Sequence, residues 1–225
     1  MTSLRSWSAS TGPSNCIVVV AIVGSLVAAV LPARGQGRER AVNVVMEDQF
    51  RNRRETGALL GDVVVLIYAE RKGAEDAHEL GKMLHVRFHP TAESAPATEW
   101  ARQPVVGLPG WPAGARVPDV HAIPVACLPE VPKAMHPVVR ARIRKESPAL
   151  SVWLDFTDVM QQTFGLVPGV PNVVILDPGG RVHSVMSGRF DRVKTDELVA
   201  TIDQIRMQSR PDIRTAAVPA ATSRE

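Results

Sequence analysis

The chain has little cysteine, few aromatic residues and none of the short motifs that mark common catalytic sites. Two cysteines, Cys16 and Cys127, occur in 225 residues. That excludes a disulfide scaffold and a four-cysteine zinc ribbon. Aromatic residues make up 4% of the chain, with a single tyrosine. No Gly-x-x-x-x-Gly-Lys-Ser/Thr, Gly-x-Gly-x-x-Gly, Gly-x-Ser-x-Gly or His-Glu-x-x-His is present, so phosphate-loop, dinucleotide, serine-hydrolase and zincin chemistry have no motif to rest on. Covalent c-type haem lacks its Cys-x-x-Cys-His. A large charge of one sign is missing too. The formal net charge is +3, and the first 35 residues contribute Arg5 and Arg34 with no acid. The remainder holds 24 cations against 23 acids. A nucleic-acid partner, which calls for a dense basic face, is not expected.

What is present begins with an address. Residues 1–15 are polar, Cys16–Leu31 is a continuous apolar run, and Pro32-Ala33-Arg34-Gly35 follows. Small residues at Ala33 and Gly35 suit a cleavage site, giving a mature chain from about Gln36. The run is shorter than the roughly 20 residues that span a bilayer. Residues 1–35 therefore read first as a secretory signal peptide and second as an uncleaved anchor through residues 16–31. Cys16 starts the apolar run, where a lipid-modified cysteine would end it. The expected location is extracytoplasmic or periplasmic, an oxidising compartment. Loss of Cys16 with the signal would leave Cys127 with no intrachain partner.

A single domain is expected over residues 36–207, with a polar, disordered tail at 208–225. Val42 and Val45 open an alternating stretch. Asp62–Tyr68 is a β-branched run suited to a central strand covered on both faces. Ala74, Ala77, Leu80, Gly81 and Leu84 then form the apolar stripe of a helix over Ala74–Leu84. From Pro90 to Pro137 the chain carries 10 of its 18 prolines, so about 89–118, with Trp100 and Trp111, reads as a long irregular excursion. A strand follows at Asp119–Ala126 and a helix at Pro132–Lys145, its core face Met135, Val139 and Ile143. Leu150–Phe156 alternates, with Val152, Leu154 and Phe156 inward. Thr157 is a candidate cap for a helix ending at Phe164. Asn172–Leu176 and Arg181–Met186 form a hairpin across Asp177-Pro178-Gly179-Gly180. Thr195 is a candidate cap for a last helix, Asp196–Met207, with Leu198, Ile202 and Ile205 inward.

The segment Phe164-Gly165-Leu166-Val167-Pro168-Gly169-Val170-Pro171, the apolar run Asn172–Leu176 and Asp177, then Gly179-Gly180-Arg181-Val182 and Gly188, resembles a thioredoxin-like signature. That signature runs Tyr-Gly-Ile-x-Gly-x-Pro-Thr, apolar strand, Asp-x-x-Gly. Glu47-Asp48-Gln49-Phe50 followed by Gly61-Asp62-Val63-Val64-Val65-Leu66 resembles the opening of the same branch, which contains peroxiredoxins and exported thiol-disulfide oxidoreductases. The resemblance covers about 42–207 apart from the excursion. It implies an α/β thioredoxin-like fold, a central mixed β-sheet flanked by helices with a long Pro-rich insertion. It also implies a cis bond between Val170 and Pro171, at a rim that binds extended peptide. The family's catalytic cysteines sit where the first central strand meets its helix. Here that junction reads Glu70-Arg71-Lys72-Gly73, with no cysteine, serine or threonine. The peroxidase Pro-x-x-x-Thr-x-x-Cys loop is absent as well. Disulfide exchange needs sulfur at that spot, so the resemblance extends to fold and not to activity.

Remaining chemistry-bearing residues have ordinary alternatives. Cys127 follows the expected Asp119–Ala126 strand and reads as a small buried hydrophobe, a reactive or partner-bridging thiol, or a metal ligand. His85 and His89 are four apart, but Pro90 opposes helix at the second. Arg140, Arg142, Arg144 and Lys145 form a solvated basic face, or an anchor for an acidic partner or anionic lipid. The loop Glu70–Gly73 is a repurposed polar surface or ordinary loop chemistry. No cofactor or metal is expected. The resulting expectation is an exported, redox-inactive binding or structural module for an unknown protein or peptide of the cell envelope. Membrane contact is expected only through an uncleaved N-terminus. The alternative is a one-cysteine oxidoreductase or peroxidase working through Cys127.

Overall fold

The structure, a computed structural model, describes residues 40–210. The expected signal or anchor, Cys16 and residues 211–225 of the expected tail lie outside the described residues. Seven strands are formed: β1 (Val45–Asp48), β2 (Arg53–Glu55), β3 (Val63–Ala69), β4 (Val120–Cys127), β5 (Trp153–Asp155), β6 (Asn172–Leu176) and β7 (Val182–Ser187). Four α-helices join them: α1 (Ala74–Phe88), α2 (His136–Glu146), α3 (Val159–Phe164) and α4 (Arg192–Gln208).

The β-branched run behaves as its composition requires. All seven residues of β3 are buried, because a strand at the centre of the sheet has no solvent face. Val63, Val65, Ile67 and Ala69 pack with Leu80 and Leu84 of α1 and Leu198 and Ile202 of α4. Val64, Leu66 and Tyr68 point the other way, toward Met46, Trp153 and Met160. Strand order is β2-β1-β5-β4-β3-β6-β7. β3, β4 and β5 run parallel, and β6, β7, β1 and β2 join antiparallel. The expected mixed sheet flanked by helices is what forms.

Local departures have local reasons. β2 was not expected. It exists because Arg51, at φ +69°, turns the chain back onto β1, and the Asp48 carboxylate accepts the N–H groups of Phe50 and Asn52 in that turn. Val44 and Met46 are buried and Val42 packs beside them, while Val45 is exposed, so the alternation runs through Val42, Val44 and Met46 and leaves Val45 outside. Trp153 and Asp155 are buried, not outward, since β5 lies between β4 and β1 and is covered on both faces. Thr157 does not cap α3. The buried Asp155 carboxylate accepts from Val159 N at 2.9 Å and Met160 N at 2.8 Å. α4 starts before Thr195, capped by Asp191, whose carboxylate accepts from Lys194 N at 2.9 Å.

Between Phe88 and Val120 the described backbone forms two short 3-10 turns, Pro90–Ser94 and Trp100–Arg102, and otherwise irregular chain. Side chains of the regular elements hold it down. Arg206 of α4 is fully buried and donates to Pro118 O at 3.0 Å and Val106 O at 2.7 Å. Its charged form is disfavoured by burial and supported by Asp203. His85 Nε2 meets Trp100 O at 2.8 Å. Asp62, at the foot of β3, accepts from Arg116 at 2.7 Å and from Asp119 N at 2.8 Å.

Candidate functional site

Parallel β3 and β4 place their C-terminal ends at one pole of the sheet, and the loop between β3 and α1 opens there. After Ala69 come Glu70 and a 3-10 turn, Arg71–Gly73, whose last N–H donates to Glu70 O at 3.0 Å. Arg71 and Lys72 are exposed, Glu70 is half-buried and Gly73 is buried. Gly73 rests on the backbone of Val170. A Cβ at position 73 would lie 2.8 Å from Val170 C and 2.9 Å from Val170 O. Lys72 lies along Gly169, where a Cβ would be 3.2 Å from Lys72 Cδ. The two groups singled out in the sequence, Glu70–Gly73 and Val170–Pro171, do meet.

The Val170–Pro171 bond is not cis: no described peptide bond is. Trans is intrinsically favoured by about 0.5–1 kcal/mol even before proline, and here another device sets the turn. Asn172, fully buried, accepts from Val167 N at 2.9 Å and donates to Val167 O at 3.2 Å and Val170 O at 3.0 Å. Pro171 is buried, and its carbonyl accepts from Gly188 N at 3.0 Å. Pro171 is therefore a wall residue. The exposed rim beside Arg71 and Lys72 is Val167 and Pro168.

Cys127 is the last residue of β4 rather than the residue after it, and it is buried opposite Asp155. Burial, then the charges of Asp155, Asp158 and Glu70, push its thiol up to about 12. A nucleophilic cysteine needs the reverse, exposure near a positive group. Tyr68, beneath it, is also raised by burial, and its hydroxyl donates to Gly165 O at 2.7 Å.

His85, in the last turn of α1, and His89, at its C-cap, belong to the opposite pole. His85 and His89 stack at 4.3 Å, and His89 contacts Asp119 at 2.8 Å. Burial is the main cause that lowers the His85 pKa. No group of three or more His, Cys, Asp or Glu fit to hold a metal occurs among the described residues. A cavity of about 380 Å³ floored by Ala77, Gly81, Ala122 and Pro124 lies on the flank of α1. Arg140 leaves the expected solvated face: it is buried, bonded to Asp48 O at 2.6 Å and Glu47 at 2.7 Å. Sequence reasoning missed Arg206, Asp155 and Asn172. Only Arg206 carried a sequence signal, an i−3 acid at Asp203.

A parallel β3-β4-β5 unit extended by an antiparallel β6-β7 hairpin, with α1 and α4 on one face, defines a thioredoxin-like α/β domain. No family model matches the chain, and no curated protein matches it. Solved structures similar to it include the pneumococcal exposed lipoprotein thioredoxin Etrx1 of Streptococcus pneumoniae, at 13% identity and TM-score 0.45, covering 72% of this chain and 99% of that one. A thiol:disulfide interchange protein of Chlorobium tepidum matches at 14% identity and TM-score 0.44, over 72% and 94%. A peroxiredoxin-like protein of Aquifex aeolicus matches at 16% and 0.43, over 74% and 85%. The fold assignment rests on strand order and direction. No described helix is long and apolar enough to cross a membrane.

Proposed function

We propose that the chain is an exported thioredoxin-like module that binds a protein or peptide of the cell envelope and performs no thiol chemistry. One observation carries the reading. Where this fold would offer a nucleophile to a helix N-terminus, the chain has Glu70-Arg71-Lys72-Gly73, closed by Gly73 against the Val170 backbone. A side chain at position 73 has no space. The only described cysteine is buried among carboxylates. Val170 O is occupied by Asn172, so recognition falls to the exposed side chains Arg71, Lys72, Val167 and Pro168. Export rests on the Cys16–Leu31 run and the small residues after it.

Two measurements test the reading. Alkylation of Cys127 in the native protein should stay negligible until denaturation, and insulin-disulfide reduction should show no turnover. Photocrosslinkers placed at Lys72 and Val167 in cells should trap the same envelope protein, while one at Val185 on β7 should not. Rapid alkylation with an apparent pKa below ~8.5, with turnover abolished by Cys127→Ser, would replace the binding reading with the one-cysteine enzyme.

A further inference from the structure

Residues 93–103 are fastened to α1 at one point. Among the described residues, the bond from His85 Nε2 to Trp100 O, 2.8 Å, is the only hydrogen bond that ties this stretch to another element. Its other hydrogen bonds close within residues 91–103. Ala95 N, Glu99 N and Arg102 N donate to Ala92 O, Pro96 O and Glu99 O, and the Ser94 and Gln103 side chains donate to Thr91 O and Glu99 O. Ala95, Trp100 and Gln103 are half-buried and the rest of the stretch is exposed. The Trp100 ring completes the fastening. It lies 3.8 Å from the His85 ring, which stacks in turn on His89. Trp100 also lines two neighbouring cavities, of about 380 Å³ and about 340 Å³, which share Ala122, Pro124 and Leu150. Its departure takes a wall from both.

The fastening depends on one proton. Neutral His85 donates its Nε2–H to the Trp100 carbonyl. A second proton puts a charge on a buried ring, which is costly without a counter-charge in contact. Burial is the main cause that lowers the His85 pKa; the Trp100 carbonyl opposes that, and of the neighbouring charges His89 and His121 lower it while Asp119 raises it. The nearby carboxylates are engaged elsewhere, Asp119 with His89 and Asp62 with Arg116 and His121. From β2, Arg53, Arg54 and Glu55 line the same cavity as His85, with Arg54 paired to Asp48 and Arg53 to Glu55. Lys82 and Glu93 line the other cavity.

We propose that residues 93–103 are an acid-released strap, latched by neutral His85, whose release uncovers the flank of α1 and β4 at the two cavities. The proposal does not rest on the binding reading at Glu70–Gly73. With the strap closed, His85 takes its second proton below its ordinary 6.5; with the strap open, it does so at that value. Opening is therefore favoured as pH falls through 6.5, by up to about thirtyfold between about pH 7.5 and about pH 5.

The test is amide hydrogen exchange of the full chain at those two pH values, each rate compared with the intrinsic rate at the same pH. Protection at Ala95, Glu99 and Arg102 should fall by about threefold to thirtyfold, while Val65 and Ile67 in β3 keep theirs. In the wild-type chain the His85 ring signals in NMR should titrate together with that loss. His85→Gln keeps a donor for Trp100 O and takes no charge, so its strap protection should stay level across the range. Strap protection that does not change with pH overturns the proposal, as does a His85 ring that titrates while the strap stays protected. A fall shared equally by β3 overturns it too, as global acid unfolding. So does a response that persists in His85→Gln and disappears in His89→Gln, which assigns the effect to the His89–Asp119 pair.

Discussion

Gly73→Ala separates a closed loop from an ordinary one by the sign of its effect. Gly73 sits at φ −98° and ψ 3°, a conformation alanine adopts without strain. At an uncrowded site of that kind the substitution stabilises by about 0.4–1 kcal/mol, through the unfolded chain. Here the new methyl would stand 2.8 Å from Val170 C, 2.9 Å from Val170 O and 3.0 Å from Val170 N. All three are backbone atoms, and Val170 cannot yield easily because the buried Pro171 follows it and Asn172 holds its carbonyl. Overpacking against a fixed wall costs about 1–3 kcal/mol, so the net effect is a loss of about 1–2 kcal/mol. Gly107→Ala is the matched control. Nothing lies within 4 Å of its added Cβ, so it should be neutral or slightly stabilising. Urea unfolding reads both. With a slope of about 2 kcal/mol/M, Gly73→Ala should lower the midpoint by about 0.5–1 M with the slope unchanged. A midpoint at or above wild type would refute the closure on which the binding reading stands.

Three further outcomes follow from the polar groups. Arg206→Met keeps the stem packing but leaves Val106 O and Pro118 O without their donor. It should cost about 2–4 kcal/mol and speed hydrogen exchange across residues 103–119, and unchanged exchange there would mean the segment is held by other contacts. Asp155→Asn removes a charged cap from α3 and should cost about 1–2 kcal/mol in thermal unfolding; an unchanged midpoint would mean that the Thr157, Val159 and Met160 N–H groups find other acceptors. Asp119 supplies a pH dependence: burial raises its carboxyl, but hydrogen bonds from His89 and Val120 N and the charge of His121 outweigh it and hold it at about 2 against an ordinary 3.8. Its folded-state pKa is depressed, so its stabilisation is present above pH 3.8 and is lost as pH falls through 2. The carboxylate is 34% exposed, so screening trims the linkage to about 1 kcal/mol, and Asp119→Asn should flatten the acid limb of a stability–pH curve by that amount.

The sheet was legible where burial is uniform, and the edges were not. The run Val63–Ala69 could only be a central strand, and Asn172–Leu176 with its Asp177–Gly180 turn could only be half of a hairpin. β5 was misread because its sidedness depends on β1, a strand about 100 residues away in sequence. Periodicity cannot register a neighbour that arrives from elsewhere in the chain. α2 was read by its apolar positions, yet its one fully inward side chain is Arg140. A guanidinium is buried only where carbonyls and carboxylates already converge, and no local pattern records that. The Glu70–Gly73 loop and the Val170–Pro171 segment were placed together correctly by resemblance. The cis bond failed because the Asn172 side chain does the work of shaping the turn, and asparagine at a strand start carries no such mark.

The distribution of carboxylates bears on what this pole can do. A thioredoxin-like site needs positive potential around its sulfur, supplied by a helix N-terminus free to stabilise a thiolate. In this chain Glu75 and Asp76 occupy the first turn of α1, where their charges offset the positive end of the helix. The neighbouring α3 is satisfied by Asp155, whose oxygens accept three backbone N–H groups. That same carboxylate faces Cys127 across the β4–β5 pairing and helps hold the thiol protonated. Introducing a cysteine at position 73 alone would not restore a reactive site. The new Cβ would collide with Val170, and Glu75 and Asp76 would oppose the thiolate. At least the glycine contact and the acidic first turn would have to change together before a sulfur placed at this loop could act as a thiolate.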